Sequence, residues 1–118
     1  MELTTELLPD GVEKIALVGR MDAMGAEQID LRFTFLTTTR PALIVVDLSQ
    51  VPFLASIGIR TLVSSAKALV RRGGRMVLAR PQPVVEEVLR LAGIDVHIPV
   101  YSDLESACSA LTAAAENG

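Results

Sequence analysis

Aromatic side chains make up only 3% of this 118-residue chain, and tryptophan is missing altogether. Flat stacking platforms for nucleic-acid bases therefore have little material here. Cys108 is the single cysteine and His97 the single histidine. A disulfide framework, a Cys/His zinc cluster, a Ser-His-Asp triad and a Cys-His pair each need more than that. Neither sign of charge dominates. Eleven basic against 14 acidic residues leave −3, which gives no general attraction to nucleic acid or an anionic membrane. No apolar run approaches the roughly 20 residues that span a bilayer. The acidic start Met1-Glu2-Leu3-Thr4-Thr5-Glu6 lacks the basic region and apolar core of a secretory signal. Glycines occur without the GxGxxG or GxxxxGKS/T spacing that cradles phosphate. The chain reads as soluble and cytoplasmic, without cofactor or metal, and not as an enzyme.

What is present is apolar material with regular punctuation. Half of the residues are hydrophobic and the mean hydropathy is +0.43, enough for one domain with its own core. Leu3 to Leu8 and Val12 to Val18 read as strands of an opening hairpin around the turn Pro9-Asp10-Gly11. Met21 to Thr38 reads as a helix with Ile29, Phe33 and Leu36 inward, ended by Arg40-Pro41. Leu43-Ile44-Val45-Val46 is a continuous run, the pattern of a strand covered on both faces.

A helix is expected from Ser56 to Arg72, with Ile59, Leu62, Val63, Ala66, Leu69 and Val70 as its apolar stripe. Gly73-Gly74 stops it. Met76 to Ala79 is a strand. Pro83 to Ala92 is a short helix with Val84, Val88 and Leu91 inward, and Asp95 to Val100 a last strand. Ser102-Asp103-Leu104-Glu105 has the form of a capping box. It opens a terminal helix that buries Leu104, Ala107, Cys108 and Leu111 and frays over 113–118. The order ββαβαβαβα implies a single α/β domain over 1–118, with a mixed, mostly parallel sheet and right-handed crossovers.

Few residues offer chemistry. Glu86 and Glu87 are adjacent on a helix, so they do not share a site as paired carboxylates would. Asp47 ends a central strand where a response-regulator receiver holds its phosphoacceptor. The acidic pair and the lysine that such a receiver needs are missing at Val18-Gly19-Arg20 and Ile98-Pro99-Val100. A turn-forming Asp47 that bonds local backbone is the expected role. His97 has no partner ligands and reads as structural or surface.

Ser56 is different. It stands at a strand-to-helix junction, beside unpaired helix N–H groups and the positive end of the macrodipole. It reads as an N-cap, at a place that also tolerates a phosphate. On a helical wheel Ile57, Arg60, Ser64, Lys67 and Arg71 fall together, opposite the core stripe, and Leu54 extends an apolar patch beside the serine.

These residues resemble the STAS domain of bacterial anti-sigma-factor antagonists along nearly the whole chain. Gly19-Arg20-Met21-Asp22-Ala23 is similar to the family's first strand-to-helix turn. Asp47-Leu48-Ser49-Gln50-Val51-Pro52-Phe53 is similar to its approach to the switch loop, and Arg80-Pro81-Gln82-Pro83 through Leu91-Ala92-Gly93-Ile94 to its later loop and helix. Ser56 and Gly58 match the phosphoserine and the glycine two residues on.

The family's usual switch reads aspartate, serine, serine or threonine, glycine. Here it reads Ala55-Ser56-Ile57-Gly58, without the carboxylate and the second hydroxyl. The resemblance implies a phosphorylation-switched module in transcription control. It would bind an anti-sigma factor of the histidine-kinase-like ATPase type and free a sigma factor, with a PP2C-like phosphatase restoring Ser56. Asp22, Leu54, Ser56, Ile57, Arg60 and Ser64 are the contact surface it implies. A small-ligand or nucleotide-sensing module and a scaffold without phosphorylation stand as the alternatives.

Overall fold

In the computed structural model, which describes residues 1–117, Pro9-Asp10-Gly11 reverses the chain as those residue types dictate. The Asp10 carboxylate accepts the Val12 N–H at 3.1 Å, and Gly11 takes φ +85°. That is the left-handed region open to glycine. The turn joins β1 (Glu2–Leu7) to β2 (Glu13–Val18) as an antiparallel pair, with Leu7 opposite Glu13.

The run Leu43-Ile44-Val45-Val46 opens β3 (Leu43–Gln50), the middle strand of a five-stranded sheet in the order β1-β2-β3-β4-β5. β3 pairs in parallel with β2 and with β4 (Arg75–Ala79), and β4 pairs in parallel with β5 (Val100–Tyr101). Three helices cross between neighbouring parallel strands: α1 (Ala23–Thr38), α2 (Ser56–Arg71) and α3 (Pro83–Leu91). The strands advance in one direction across the sheet, so right-handed crossovers put all three helices on one face.

Ile29 and Phe33, Leu62 and Leu69, and Val85 and Leu89 close the larger core there, over Ile15, Ile44, Val46 and Leu78. On the other face α4 (Leu104–Asn117) sets Ala107, Cys108 and Leu111 against Val45 and Val77. β3 thus buries both faces, which is why its apolar run has no alternation. The element order is the expected one. Among the described residues no helix is long and apolar enough to cross a membrane.

Several details differ from the sequence reading. Asp95 to Val100 is not a strand. Gly93 at φ +68° leads into a 3-10 turn, Ile94–Val96, and the Ile98 N–H returns to the Ile94 carbonyl. Pro99 then offers no N–H to a ladder, so β5 keeps only two residues. In α3 the buried pair is Val85 and Leu89, while Val84 and Leu91 are exposed and Val88 is half-buried. Val70 of α2 is exposed too, at the edge of an otherwise inward stripe.

α1 begins at Ala23 because Met21 belongs to the preceding loop and Asp22 caps the helix. α4 is capped by Asp103, not Ser102. The Asp103 carboxylate accepts the Ser106 N–H at 2.7 Å. The helix extends through Asn117, and Gly118 lies outside the described residues.

Candidate functional site: two helix starts at one corner

β2 and β3 end side by side, and the loops that follow stay joined. The Gly19 N–H donates to the Gln50 carbonyl, the Met21 N–H to the Phe53 carbonyl and the Ala55 N–H to the Met21 carbonyl, at 3.0, 2.9 and 3.0 Å. Met21 and Leu54 pair as an extra parallel rung, with both side chains in the main core. α1 and α2 therefore start at the same corner of the molecule.

The start of α1 is closed by a side chain. Asp22 sits at the N-cap in extended backbone and accepts the Gly25 N–H at 2.8 Å. Its other oxygen lies 3.6 Å from Arg20 Nε. The Gly25 N–H above all, with the Arg20 charge, holds this carboxyl below its ordinary range. Gly25 has to be a glycine, because a Cβ there would overlap the Arg20 carbonyl oxygen.

The start of α2 is closed by backbone alone. Ala55 occupies the N-cap position with φ −94° and ψ 168°, and has no side chain to cap with. Its carbonyl accepts the N–H groups of Gly58 and Ile59 at 2.9 and 3.2 Å. Ser56 is the first helical residue and is exposed. It is therefore not the expected N-cap: with the Ala55 amide tied to Met21, the helix begins one residue earlier than a Ser56 cap requires. The aspartate of the usual switch would stand at the cap position itself.

Gly58 lets this first turn settle onto the Met21-Leu54 rung. A Cβ there would lie 2.7 Å from Leu54 Cδ1, 2.8 Å from Met21 Cγ and 3.1 Å from the Met21 carbonyl oxygen.

Leu54, expected in the contact surface, is only 4% exposed. In extended chain alternate residues face opposite ways, so the inward turn of Leu54 leaves Phe53 outward, 38% exposed. The Arg20 guanidinium lies 4.2 Å from the Phe53 ring centroid, a cation–π contact that holds the ring at the surface. Phe53 was missed in the sequence, although the inward–outward alternation of the loop was a usable signal.

Ile57 and Arg60 are exposed beside Ser56. Ile57 and Thr61 line a cleft of about 410 Å³ against Ala23, Ala26, Glu27 and Asp30 of α1. Ser64 is exposed as well, but lies two turns along α2, about 12 Å from Ser56 at 1.5 Å per residue. The structure thus gathers Asp22, Ser56, Ile57 and Arg60 at the corner, adds Phe53, removes Leu54 and sets Ser64 at a distance.

A second charged constellation joins β2 and β3 to the residue that follows β4. Asp47 accepts the Ser49 N–H at 3.0 Å, the local backbone bond expected of it. It also takes two hydrogen bonds from Arg80, at 2.6 and 3.3 Å, with Lys14 Nζ at 3.7 Å. Burial pushes the Asp47 carboxyl up, but the Arg80 and Ser49 donors outweigh it and leave it below its ordinary range. Arg80 adopts φ +56° in this arrangement. An aspartate so engaged is a fastener, and among the described residues no group of three His, Cys, Asp or Glu is placed to hold a metal ion.

The frame has counterparts in known proteins. The chain is 29% identical, over 97% of each sequence, to BtrV of Bordetella bronchiseptica, which carries the name of an anti-sigma factor antagonist. It is 26% identical to the anti-sigma-F factor antagonist RsfB of Mycobacterium tuberculosis, over 83% of this chain and 80% of that one. The crystal structure of an anti-sigma factor antagonist from Mycobacterium paratuberculosis superposes with a TM-score of 0.81 at 27% identity. The superposition covers 94% of this chain and 95% of that one. The family model of the STAS domain matches residues 8–107. With a match across that span, the chain belongs to the STAS domain family.

Proposed function

We propose that this protein is a cytoplasmic anti-sigma-factor antagonist, a binding module and not a catalyst. It binds an anti-sigma factor with a histidine-kinase-like ATPase fold and so frees a sigma factor. The partner phosphorylates Ser56, and a PP2C-like phosphatase reverses the mark.

The observation that supports this most directly is the exposed Ser56 hydroxyl on the first residue of α2, at a helix start without a side-chain cap. The antagonist names of BtrV and RsfB support it from outside. A phosphate adds about −1.5 to −2 charges at neutral pH, and a helix N-terminus accommodates such a charge, so the fold persists. Binding does not. A partner seated on Phe53 and Ile57 has to desolvate the dianion between them, and an unpaired buried charge costs several kcal/mol. Asp22 and Arg60 flank the contact, and Ser64 extends it along α2.

Isothermal titration against the ATPase-type anti-sigma factor tests the reading. Ser56→Ala keeps wild-type affinity, and Ser56→Glu loses at least about 100-fold, equivalent to roughly 2.8 kcal/mol. Incubation of the wild type with partner and ATP adds one phosphate to Ser56 by mass spectrometry. Equal affinities of the two variants, both folded by circular dichroism, would reduce Ser56 to an ordinary helix residue.

A further inference from the structure

The flanks of α2 and α3 carry surface that the Ser56 corner does not use. α1 and α2 pack directly on one another, and Ile57 and Thr61 mark the flank of α2 turned toward α1. Across the buried line Gly58, Leu62, Ala66 and Leu69, the opposite flank presents Ile59, Val63 and Val70. α3 shows the complementary arrangement. Glu86 and Arg90 border a cleft that reaches Val100 of β5. The other flank, with Val84, Val88 and Leu91, is therefore turned toward α2.

The two helices are neighbours on one sheet face, yet no packing comparable to that of α1 on α2 joins them. Between them runs an apolar strip. Ile59, Val63 and Val88 are half-buried and packed on the main core, while Val70, Val84 and Leu91 are 60%, 59% and 73% exposed.

On the α2 side of this strip the charge has one sign, whereas Glu87 of α3 is paired with Arg90. α2 contains no acidic residue. Arg60, Lys67 and Arg71 recur on its outer face and are exposed, and none is in an ion pair among the described residues. In a chain of net charge −3 this is a local bias.

We propose that the strip between α2 and α3 receives an amphipathic helix of a partner protein, one whose flank carries carboxylates. Its apolar ridge lies along Val63, Val70, Val84, Val88 and Leu91, as i, i+3, i+4 and i+7 anchors do in a groove. Its acids meet Arg60, Lys67 and Arg71, which sets direction and register. An anionic bilayer also offers negative charge and apolar depth, but the net negative charge of the domain opposes its approach. The surface shares Arg60 with the rim of the proposed Ser56 contact, but its apolar anchors exclude Ser56, Phe53 and Ile57.

The test uses a stapled helical peptide of about five turns, with leucines along one ridge and glutamates along one edge, titrated into methyl-labelled protein. The expected shifts fall on Val63, Val70, Val84, Val88 and Leu91. A peptide with lysine in place of glutamate binds at least about tenfold more weakly. Val70→Glu and Leu91→Glu, at exposed positions that leave the fold intact, each lower affinity at least about tenfold. Leu31→Glu, at an 85% exposed position on α1, changes nothing. Four results would overturn the proposal: shifts centred on Met24 and Leu31; equal binding of both peptides; a stronger response to anionic vesicles; or self-association of the free protein through the same methyls. None of them bears on Ser56.

Discussion

α1 and α2 start on equivalent loops, strapped to each other, and differ in how the first turn is finished. At α1 the anion is built in: Asp22 caps the helix, pairs with Arg20 and is held ionised by the Gly25 N–H. At α2 the corresponding position is Ala55, and the residue after it is an exposed serine. A helix start that already carries its carboxylate has little to gain from a second negative group. One closed by backbone alone presents its N–H dipoles to whatever anion arrives. The contrast is between a helix start closed by its own carboxylate and one left to backbone, although hydrogen bonds tie the two loops together.

The largest effect expected from breaking this symmetry is at the paired glycines. Gly25→Ala drives a Cβ into the rigid Arg20 carbonyl and destabilises by more than about 3 kcal/mol. Gly58→Ala meets chiefly the side chains of Leu54 and Met21, and costs about 1–3 kcal/mol. Urea denaturation of the two variants ranks them, and a reversed order would mean that the α2 corner is the stiffer one.

Next comes Asp47→Ala, which strips both Arg80 hydrogen bonds from a buried site and costs about 2 kcal/mol. The Asp47 carboxyl titrates below the unfolded value of about 3.9. Its contribution is therefore present above about pH 4 and lost as pH falls through the folded value. Thermal melts of wild type and variant should converge in acid.

Ala55→Asp supplies α2 with the cap that α1 already has, in backbone that is already extended, and stabilises by about 1 kcal/mol. Absence of any gain would show that this helix start is not short of an acceptor. The smallest effect is the reciprocal change. Asp22→Ala lowers the denaturation midpoint at neutral pH. Because the Asp22 carboxyl is depressed, the deficit disappears as pH drops below the usual aspartate range. A deficit that persists in strong acid would point to packing instead of charge.

Much of the frame was legible because local chemistry and the tertiary role coincide. Pro9-Asp10-Gly11 forms the turn that its residue types specify, and the run from Leu43 to Val46 lacks alternation because β3 is buried on both faces. What escaped depends on neighbours. Val84, Val88 and Leu91 satisfy a helical period as well as Val85 and Leu89 do, and only the separation of α3 from α2 decides which set is buried. Phe53 and Leu54 are both apolar, and the Met21 rung selects the inward one. The shift of the cap from Ser56 to Ala55 is a single residue, the scale at which helix ends are set by contacts outside the helix. Arg80 gave no sign of its partner, because the pairing joins the residue after β4 to Asp47 within β3.

The three backbone hydrogen bonds between residues 19–21 and 50–55 leave the corner without slack. Under the proposed switch, a phosphate on Ser56 has no hinge to work on, so the contour would stay the same and only the electrostatic potential over Phe53 and Ile57 would change. On that proposal a partner would sense a field, read at the speed of encounter, with no refolding step between modification and release. The Met21 and Ala55 amides should exchange with solvent as slowly in the phosphorylated protein as in the unmodified one.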